Sequence, residues 1–166
     1  MIEVRRVRPE EYVDAGDVTA SAWGPGGSPD DESWLSFRAR VADVVGRDVV
    51  AVVFIATEND CILGSVTLEM DDRIEDPESL PPLAHDEAHV RVLGVAPAAR
   101  RRGVGRILMC HCADVARGRG KTRLTLNTSV KNSTAQAFYE AIGFVRLHNL
   151  ELEDGSQLRS YELNLR

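Results

Sequence analysis

Long apolar runs are absent from this 166-residue sequence. No stretch approaches the roughly 20 apolar residues that a transmembrane helix requires, so neither a membrane-spanning segment nor a membrane partner is predicted. The first residues, Met1-Ile2-Glu3-Val4-Arg5, also lack the basic and then apolar order of a secretory signal peptide. Together the two absences predict a cytoplasmic protein.

Cysteine is scarce, with three residues at spacings that match no disulfide framework, so structural disulfides are not expected. Cys110, His111 and Cys112 have the side chains of metal ligands. They fall on a predicted helix, however, where neighbours one or two positions apart point in different directions. No second cluster completes a site. We therefore expect ordinary helix packing here and no bound metal ion.

Basic residues are in the minority, because 20 Lys and Arg stand against 26 Asp and Glu and give a net charge of −6. Binding to a phosphate backbone needs a basic face, so nucleic acid is not expected as a partner. Acidic residues concentrate between residues 71 and 87, and Arg100, Arg101, Arg102 and Arg106 follow shortly after. The acidic segment either attracts a cationic amine or serves only as a solubilising loop.

Strand and helix patterns alternate without a linker or an internal repeat, which predicts one α/β domain over residues 1–166 with a mixed sheet. Strands are predicted over residues 2–7, 49–57, 62–70, 88–95, 123–127, 144–151 and 157–165. Helices are predicted over residues 9–22, from 30 or 31 to 44 or 45, 103–117 and 132–142. Asn59-Asp60 and Asp154-Gly155 are turn signals for two antiparallel hairpins. Residues 24–29, rich in glycine and proline, predict a loop.

The segment most informative about function is an apolar strand ending at Val95, followed by a glycine-spaced loop that opens a helix. Gly103 and Gly105 carry no Cβ, so the main chain can curl its amides around an anion at the positive end of the helix. The loop lacks the Gly-Lys-Ser/Thr ending of a Walker motif, and Leu108 stands where a dinucleotide fingerprint needs a third glycine. Short glycine patterns are also common by chance, and the alternative is an exposed basic loop that caps a helix.

Two motifs in this part of the chain resemble those of the GNAT family of acetyltransferases. Arg100-x-x-Gly103-x-Gly105, after Leu93-Gly94-Val95-Ala96-Pro97, resembles the family's coenzyme A pyrophosphate loop, usually written Q/R-x-x-G-x-G/A. The run from Asn132 to Phe144 resembles the next signature, N-x-x-A-x-x-x-Y-x-x-x-G-F. The resemblance covers about residues 48 to 150, and the first 47 residues match only in their strand-helix-helix order.

The resemblance implies a fold and an activity. The fold is a mixed, mostly antiparallel sheet of about seven strands with a central splay, flanked by about four helices. The activity is acetyl transfer from acetyl-coenzyme A to a primary amine of a small molecule, protein or peptide, by direct attack in a ternary complex. The alternative is a module that binds acetyl-coenzyme A without turnover. Because relatives are commonly dimers, a homodimer is one expectation, although the sequence does not encode the oligomeric state.

The resemblance also implies which residues contact the cosubstrate. These are Leu93, Gly94, Val95, Arg100, Arg101, Arg102, Gly103, Val104, Gly105, Arg106, Asn132, Ala135 and Tyr139. A bulge near Leu93 and Gly94 is expected to free main-chain amides for the pantetheine arm and the thioester carbonyl. Asn132 fits equally well as a plain helix N-cap.

Tyr139 is expected to be the general acid, because a phenol of pKa about 10 stays protonated at neutral pH and can donate to a thiolate whose thiol has a pKa of about 8.5. The alternative is a tyrosine packed under the sheet. Glu87 and His89 are the candidates for the general base, with Glu69 on the neighbouring strand. His89 suits neutral pH, whereas a carboxylate needs a raised pKa or a water relay. Some relatives have no dedicated base, and each candidate is also a plausible strand-end residue.

Overall fold

The structure, a computed structural model, describes residues 1–23, 32–71 and 80–166. Three sequence predictions lie wholly or partly outside these ranges: the loop over residues 24–29, the helix N-cap at Asp30 or Asp31, and residues 72–79 of the acidic segment. The other predictions fall on described residues.

The described residues form seven strands and five helices. The strands are β1 Glu3–Arg6, β2 Val52–Glu58, β3 Cys61–Glu69, β4 Glu87–Val95, β5 Arg123–Ser129, β6 Val145–Glu151 and β7 Gln157–Asn164. The helices are α1 Tyr12–Ser21, α2 Glu32–Ala42, α3 Val44–Val50, α4 Val104–Gly118 and α5 Ser133–Ala141, with short 3₁₀ turns at Pro9–Glu11 and Pro97–Ala99. All seven predicted strands are present.

The strands lie in the order β1-β2-β3-β4-β5-β7-β6. β1 to β3 pair antiparallel, as do β5, β7 and β6, whereas β4 and β5 are parallel. A parallel pair needs a crossover connection, and α4 provides it. The mixed, mostly antiparallel sheet predicted from the sequence is thereby confirmed.

The chain divides into two compact units. The first contains Met1–Leu68 and Val92–His111, and the second contains Glu69–Arg91 and Cys112–Arg166. A small apolar core in the first unit is formed by buried residues of the N-terminal segment, α1, α3 and β2: Val7, Ala15, Val44, Val53 and Ile55. The second unit buries its own apolar residues, among them Leu124, Leu126 and Tyr161.

The second predicted helix is present as α2 but ends at Ala42, and a further short helix, α3, follows where none was predicted. Asp43 interrupts the run and caps α3, where its side chain accepts a hydrogen bond from the Gly46 amide at 2.9 Å. Val49 and Val50, predicted as the start of a strand, belong to α3. Both side chains are exposed, and the N-cap at Asp43 outweighs their weak preference for a strand. With α3 the described helices number five, where about four were expected.

Both predicted hairpin turns are present. Asn59 and Asp60 have φ angles of 50° and 63°, so two successive left-handed residues join β2 to β3. Asn and Asp tolerate this conformation better than other non-glycine residues. Gly155, with a φ of 81°, lies in the turn between β6 and β7.

Gly64 in β3 permits a close approach of the main chain within the first unit. A Cβ at this position would lie 2.7 Å from the Gly94 carbonyl oxygen. Gly64→Ala is therefore expected to lower the free energy of unfolding by about 1–3 kcal/mol, as overpacking of a fixed backbone does. Urea denaturation measures the effect. The matched control is Gly118→Ala, because no described atom lies within 4 Å of a Cβ at that position. Equal stability of the two variants would contradict the expectation.

Glu11 is held in its ionised form by two neighbours. The Arg5 guanidinium donates to its two oxygens at 2.6 and 2.8 Å, and the Arg8 amide donates at 2.9 Å. These bonds, that of Arg5 above all, lower the pKa of Glu11 from 4.5 to about 2. A depressed carboxylate pKa stabilises the folded state above pH 4.5, and the contribution is lost as the pH falls towards 2.

Glu11→Gln is accordingly expected to destabilise the protein by about 1 kcal/mol at pH 7, a value discounted for partial solvent screening. The difference from wild type should shrink below pH 4.5, since the unfolded chain then binds the proton first. Urea denaturation at pH 7 and at about pH 3 tests this. Glu10→Gln, in the same turn and exposed, serves as control. A Glu11→Gln effect that does not change with pH would refute the assignment.

Candidate functional site

In the first unit, the end of β4 leads into a strand–turn–loop–helix segment, as the sequence predicted. The Ala96 amide donates to the Leu63 carbonyl at 2.8 Å, which fixes the chain as it leaves the strand. After the 3₁₀ turn, Arg101 and Gly103 adopt left-handed φ angles of 63° and 81°. α4 then begins at the buried Val104. Main chain in which left-handed residues alternate with others curls, and such a curl can turn successive amides towards one anion.

The start of α4 presents amides that have no main-chain acceptor. The first bond of the helix ladder joins the Ile107 amide to the Gly103 carbonyl at 3.0 Å. Among the residues that the structure describes, the amides from 101 to 106 bond to no carbonyl. No atom of the described residues lies within 4 Å of a Cβ built on Gly103, so the described structure leaves space there. Unpaired amides at a helix N-terminus bind anions, and this loop therefore fits a diphosphate.

The four arginines predicted to surround the loop divide into two pairs. Arg100 donates to the Ala22 carbonyl at 2.6 Å, near the C-terminal end of α1. Arg102 pairs with Glu58 at 2.5 Å and holds the pKa of that carboxyl below its usual range. Arg101 and Arg106 are exposed and pair with no acidic residue in the described ranges. Arg100 and Arg102 thus hold the loop in place, while Arg101 and Arg106 add positive charge to its surface.

β4 is distorted one residue earlier than the sequence indicated. Val92, not Leu93 or Gly94, has a φ of 50°. A left-handed conformation costs an L-residue about 1–2 kcal/mol, and it is rarest for β-branched side chains. The pairing of β4 with β5 covers Glu87–Val90 and Arg123–Leu126, although β4 runs on to Val95. The regular ladder between β4 and β5 therefore ends before Val92.

Gly94 has a different explanation from the one expected. A Cβ at this position would lie 3.1 Å from the Thr19 carbonyl oxygen and 3.2 Å from the Ala22 Cβ. Close packing of the end of α1 therefore accounts for this glycine. Leu93 and Val95, on either side, are half-buried.

In the second unit, a chain of hydrogen bonds joins the two main candidates for the general base. Thr125 Oγ1 donates to Glu87 Oε1 at 2.6 Å and lies 2.7 Å from His89 Nδ1. Glu87 Oε2 also accepts from the Ala84 amide at 3.1 Å and from Arg123 Nη2 at 3.4 Å. His89 is 3% exposed. Glu87 is thus occupied as an acceptor, and His89 lies at the inner end of the chain.

Glu69, the third candidate, is fully buried and forms an ion pair with Arg91. Its Oε1 lies 3.6 Å from Arg91 Nη1. A buried carboxylate is tolerated when such a partner offsets the loss of hydration. Glu69 therefore already has an ionic role in the second unit.

Tyr139, on α5, is 9% exposed and packs against other aromatic rings. The Phe138, Phe144 and Tyr161 ring centroids lie 5.3, 5.9 and 6.1 Å from its own. Burial raises the pKa of Tyr139 to about 12, because the phenolate would lose its hydration. Packing therefore keeps the hydroxyl protonated and able to donate throughout the neutral range.

Asn132 is the N-cap of α5. Its Oδ1 accepts from the Ala135 amide at 3.1 Å. The N-cap alternative is therefore realised, and it occupies the Ala135 amide. Contact of Asn132 or Ala135 with the cosubstrate stays a prediction.

Two residues that contact the predicted site residues, Thr125 and Glu58, were missed in the sequence. Thr125 lies beside His89 because the parallel register pairs the two positions. Glu58 reaches Arg102 from the end of β2. The only signal for Thr125 in the sequence is that it is a polar residue inside an apolar strand. The only signal for Glu58 is that it is a carboxylate next to a turn. Neither identifies its partner without the register.

Of Cys110, His111 and Cys112, which were expected to pack as ordinary helix residues, the last two do so. Cys112 is buried, and the His111 ring lies edge-on to Phe54 with centroids 4.6 Å apart, whereas Cys110 is exposed. In the described ranges, no group of three or more His, Cys, Asp or Glu side chains is arranged to hold a metal ion. No described helix has the length and apolar character needed to span a membrane.

Comparison with known proteins identifies the family and the fold of the chain. The family model described as the acetyltransferase (GNAT) family matches residues 16–144. The crystal structure of PaiA N-acetyltransferase from Thermoplasma acidophilum, in complex with coenzyme A, aligns with a TM-score of 0.74 at 15% identity, covering 98% of this chain and 99% of that one. At this level of identity the likeness shows the fold alone.

Two curated relatives match shorter segments. Mycothiol acetyltransferase of Beutenbergia cavernae is 46% identical over 55 residues, which are 33% of this chain and 18% of that protein. Ribosomal protein bS18-alanine N-acetyltransferase of Salmonella typhimurium is 41% identical over 59 residues, which are 36% of this chain and 40% of that protein. The matches thus span less than half the length of either relative.

Proposed function

Because the chain belongs to the GNAT family of acetyltransferases, we propose that it transfers an acetyl group from acetyl-coenzyme A to a primary amine by direct attack in a ternary complex. The observation that carries the proposal is the run of unpaired amides from residue 101 to 106 above the N-terminus of α4. These amides suit the diphosphate of coenzyme A, and the exposed side chains of Arg101 and Arg106 supply countercharge.

In this proposal the main chain at Leu93–Val95 orients the pantetheine arm and polarises the thioester carbonyl. When bound, acetyl-coenzyme A supplies an acyl group on a good leaving group. Strain at Val92 supports the assignment, since a left-handed valine is maintained only where the surrounding structure imposes it. Amide donors aimed at the carbonyl oxygen stabilise the charge that develops there.

Two side chains of the second unit are assigned the proton transfers. His89 takes the proton that the amine loses as its nitrogen bonds to the carbonyl carbon. Tyr139 gives a proton to the sulfur as the carbon–sulfur bond breaks, and solvent then restores both side chains to their starting forms. The amine becomes an amide and coenzyme A leaves as the thiol, so atoms and charge balance.

Calorimetry with coenzyme A and a thiol-release assay with acetyl-coenzyme A test the proposal together. The names of the relatives suggest an acceptor panel that contains a peptide with N-terminal alanine as well as small-molecule amines. The proposal predicts binding, and thiol release that depends on an amine and yields an acetylated product. Binding without release for any amine would favour the alternative module that only holds the cosubstrate.

The cytoplasmic location and the homodimer expected from the sequence stay predictions. Light scattering after size exclusion tests the second of these directly. A net charge of −6 supports the expectation that nucleic acid is not a partner.

A further inference from the structure

Thr125, on β5, forms side-chain hydrogen bonds with Glu87 and His89 on the neighbouring strand β4. It is the direct neighbour of His89 in the parallel register of β4 and β5. Its hydroxyl lies 2.6 Å from Glu87 Oε1 and 2.7 Å from His89 Nδ1. Thr125 and His89 are both buried, at 7% and 3% exposure. The three side chains therefore form a chain of hydrogen bonds whose Thr125–His89 end is buried.

The chemistry of the donors fixes the direction of this chain. An ionised carboxylate accepts hydrogen bonds but donates none, so the Thr125 hydroxyl proton points to Glu87. The hydroxyl has one proton, and its oxygen can therefore only accept from His89. The hydrogen in the 2.7 Å contact must then be carried by Nδ1 of His89. In a neutral imidazole of this tautomer, Nε2 has the lone pair.

Glu87 is kept in the accepting role by its other contacts. Its Oε2 accepts from the Ala84 amide at 3.1 Å and from the Arg123 guanidinium at 3.4 Å. Arg123 is itself shared with Asp86 and Glu162, at 3.4 and 3.3 Å. The carboxylate thus has a donor on each oxygen, which suits it to anchor Thr125 and not to remove a proton from a substrate.

We propose that Thr125 is a positioning residue that, anchored by Glu87, fixes His89 as the Nδ1–H tautomer and so makes Nε2 the nitrogen that receives the proton of the amine. The catalytic part of this inference rests on the proposed function. The proton on Nδ1 does not, because it follows from the contact of His89 with Thr125 and of Thr125 with Glu87. The inference also distinguishes between the two base candidates: His89 is the base and Glu87 acts through Thr125.

Nitrogen-15 NMR of the imidazole rings tests the tautomer in the free, full-length protein. The chain has four histidines, so the signals of His89 are identified by their loss in His89→Gln. We expect a protonated Nδ1 and an unprotonated Nε2 in wild type. Thr125→Val keeps the shape and removes the hydroxyl, and it should shift His89 towards the opposite tautomer. Thr125→Ser should retain the wild-type pattern.

The matched control is Thr122→Val. Thr122 donates to Asp86 at 3.0 Å, so this variant also loses a threonine–carboxylate bond, but one that does not include Glu87 or His89 and lies three positions earlier on each strand. It should leave the His89 tautomer unchanged. A protonated Nε2 in wild type would overturn the inference even if Thr125→Val failed to fold, and so would a Thr125→Val spectrum identical to that of wild type.

Kinetics separate this inference from the proposed function. Thr125→Val should lower kcat about tenfold or more, since a catalytic histidine depends on the partner that sets its tautomer. The KM for acetyl-coenzyme A should stay within about twofold, and Thr125→Ser should restore kcat. If wild type shows the expected tautomer but transfers no acetyl group to any amine, the proposed function fails and the tautomer assignment stands. A Thr125→Val enzyme with wild-type kcat would refute the positioning role.

Discussion

Tyr139→Phe is expected to lower kcat about 100-fold or more, with the affinity for coenzyme A unchanged, because the variant loses the proton donor but no packing surface. Burial holds the pKa of Tyr139 at about 12, so the phenol is fully protonated at every pH at which the enzyme is assayed. The same shift makes it a weaker acid. Its donation must therefore coincide with the breaking of the carbon–sulfur bond.

Tyr161→Phe is the matched control for this prediction. Tyr161 is also buried and lies 6.1 Å from Tyr139 between ring centroids, but its hydroxyl donates to Glu140 at 3.0 Å. The control should lose about 1 kcal/mol of stability through that bond and keep its turnover. Steady-state thiol release measures both variants. Turnover of Tyr139→Phe within twofold of wild type would leave Tyr139 as a packed tyrosine only.

Gly103→Ala is expected to weaken coenzyme A binding about tenfold. Gly103 has a φ of 81°, a conformation that costs alanine about 1–2 kcal/mol. Its neighbours Arg101 and Arg102 are exposed, and no atom in the described part of the chain lies within 4 Å of the added Cβ, so the free loop can relax to a negative φ. Binding must then restore the strained form, and 1.4 kcal/mol of strain corresponds to roughly a factor of ten.

Gly118→Ala is a suitable control here as well, because its Cβ also meets open space but no left-handed φ is required. Calorimetry should show an unchanged dissociation constant for Gly118→Ala. If Gly103→Ala bound coenzyme A as tightly as wild type, the left-handed turn at Gly103 would have no part in binding. Reduced stability in place of reduced affinity would show that the loop stays rigid without its ligand.

Features with a local cause were predictable from the sequence. The left-handed turn at Asn59-Asp60 and the start of α5 at Asn132 depend on residues within four positions of each other. The same holds for the loop before α4, where Gly103 takes the conformation that its lack of a Cβ allows. The family model confirms the resemblance drawn from this loop and the later signature.

Features set by tertiary contacts were not predictable. The break between α2 and α3 depends on capping by Asp43, which competes with a continuous helical pattern. Gly94 is explained by the approach of α1, and two of the four arginines by partners far away in sequence. The link from Glu87 to His89 through Thr125 needs the parallel register, which pattern alone does not determine.

The central claim is that main-chain amides from residue 101 to 106 bind the diphosphate of coenzyme A. Amide-resolved NMR of the nitrogen-15-labelled protein, titrated with coenzyme A, tests it most directly. The largest shifts are predicted for these six amides, since they gain hydrogen bonds that they lack in the free protein. Saturable binding that leaves all six signals in place, or no binding at all, would contradict it.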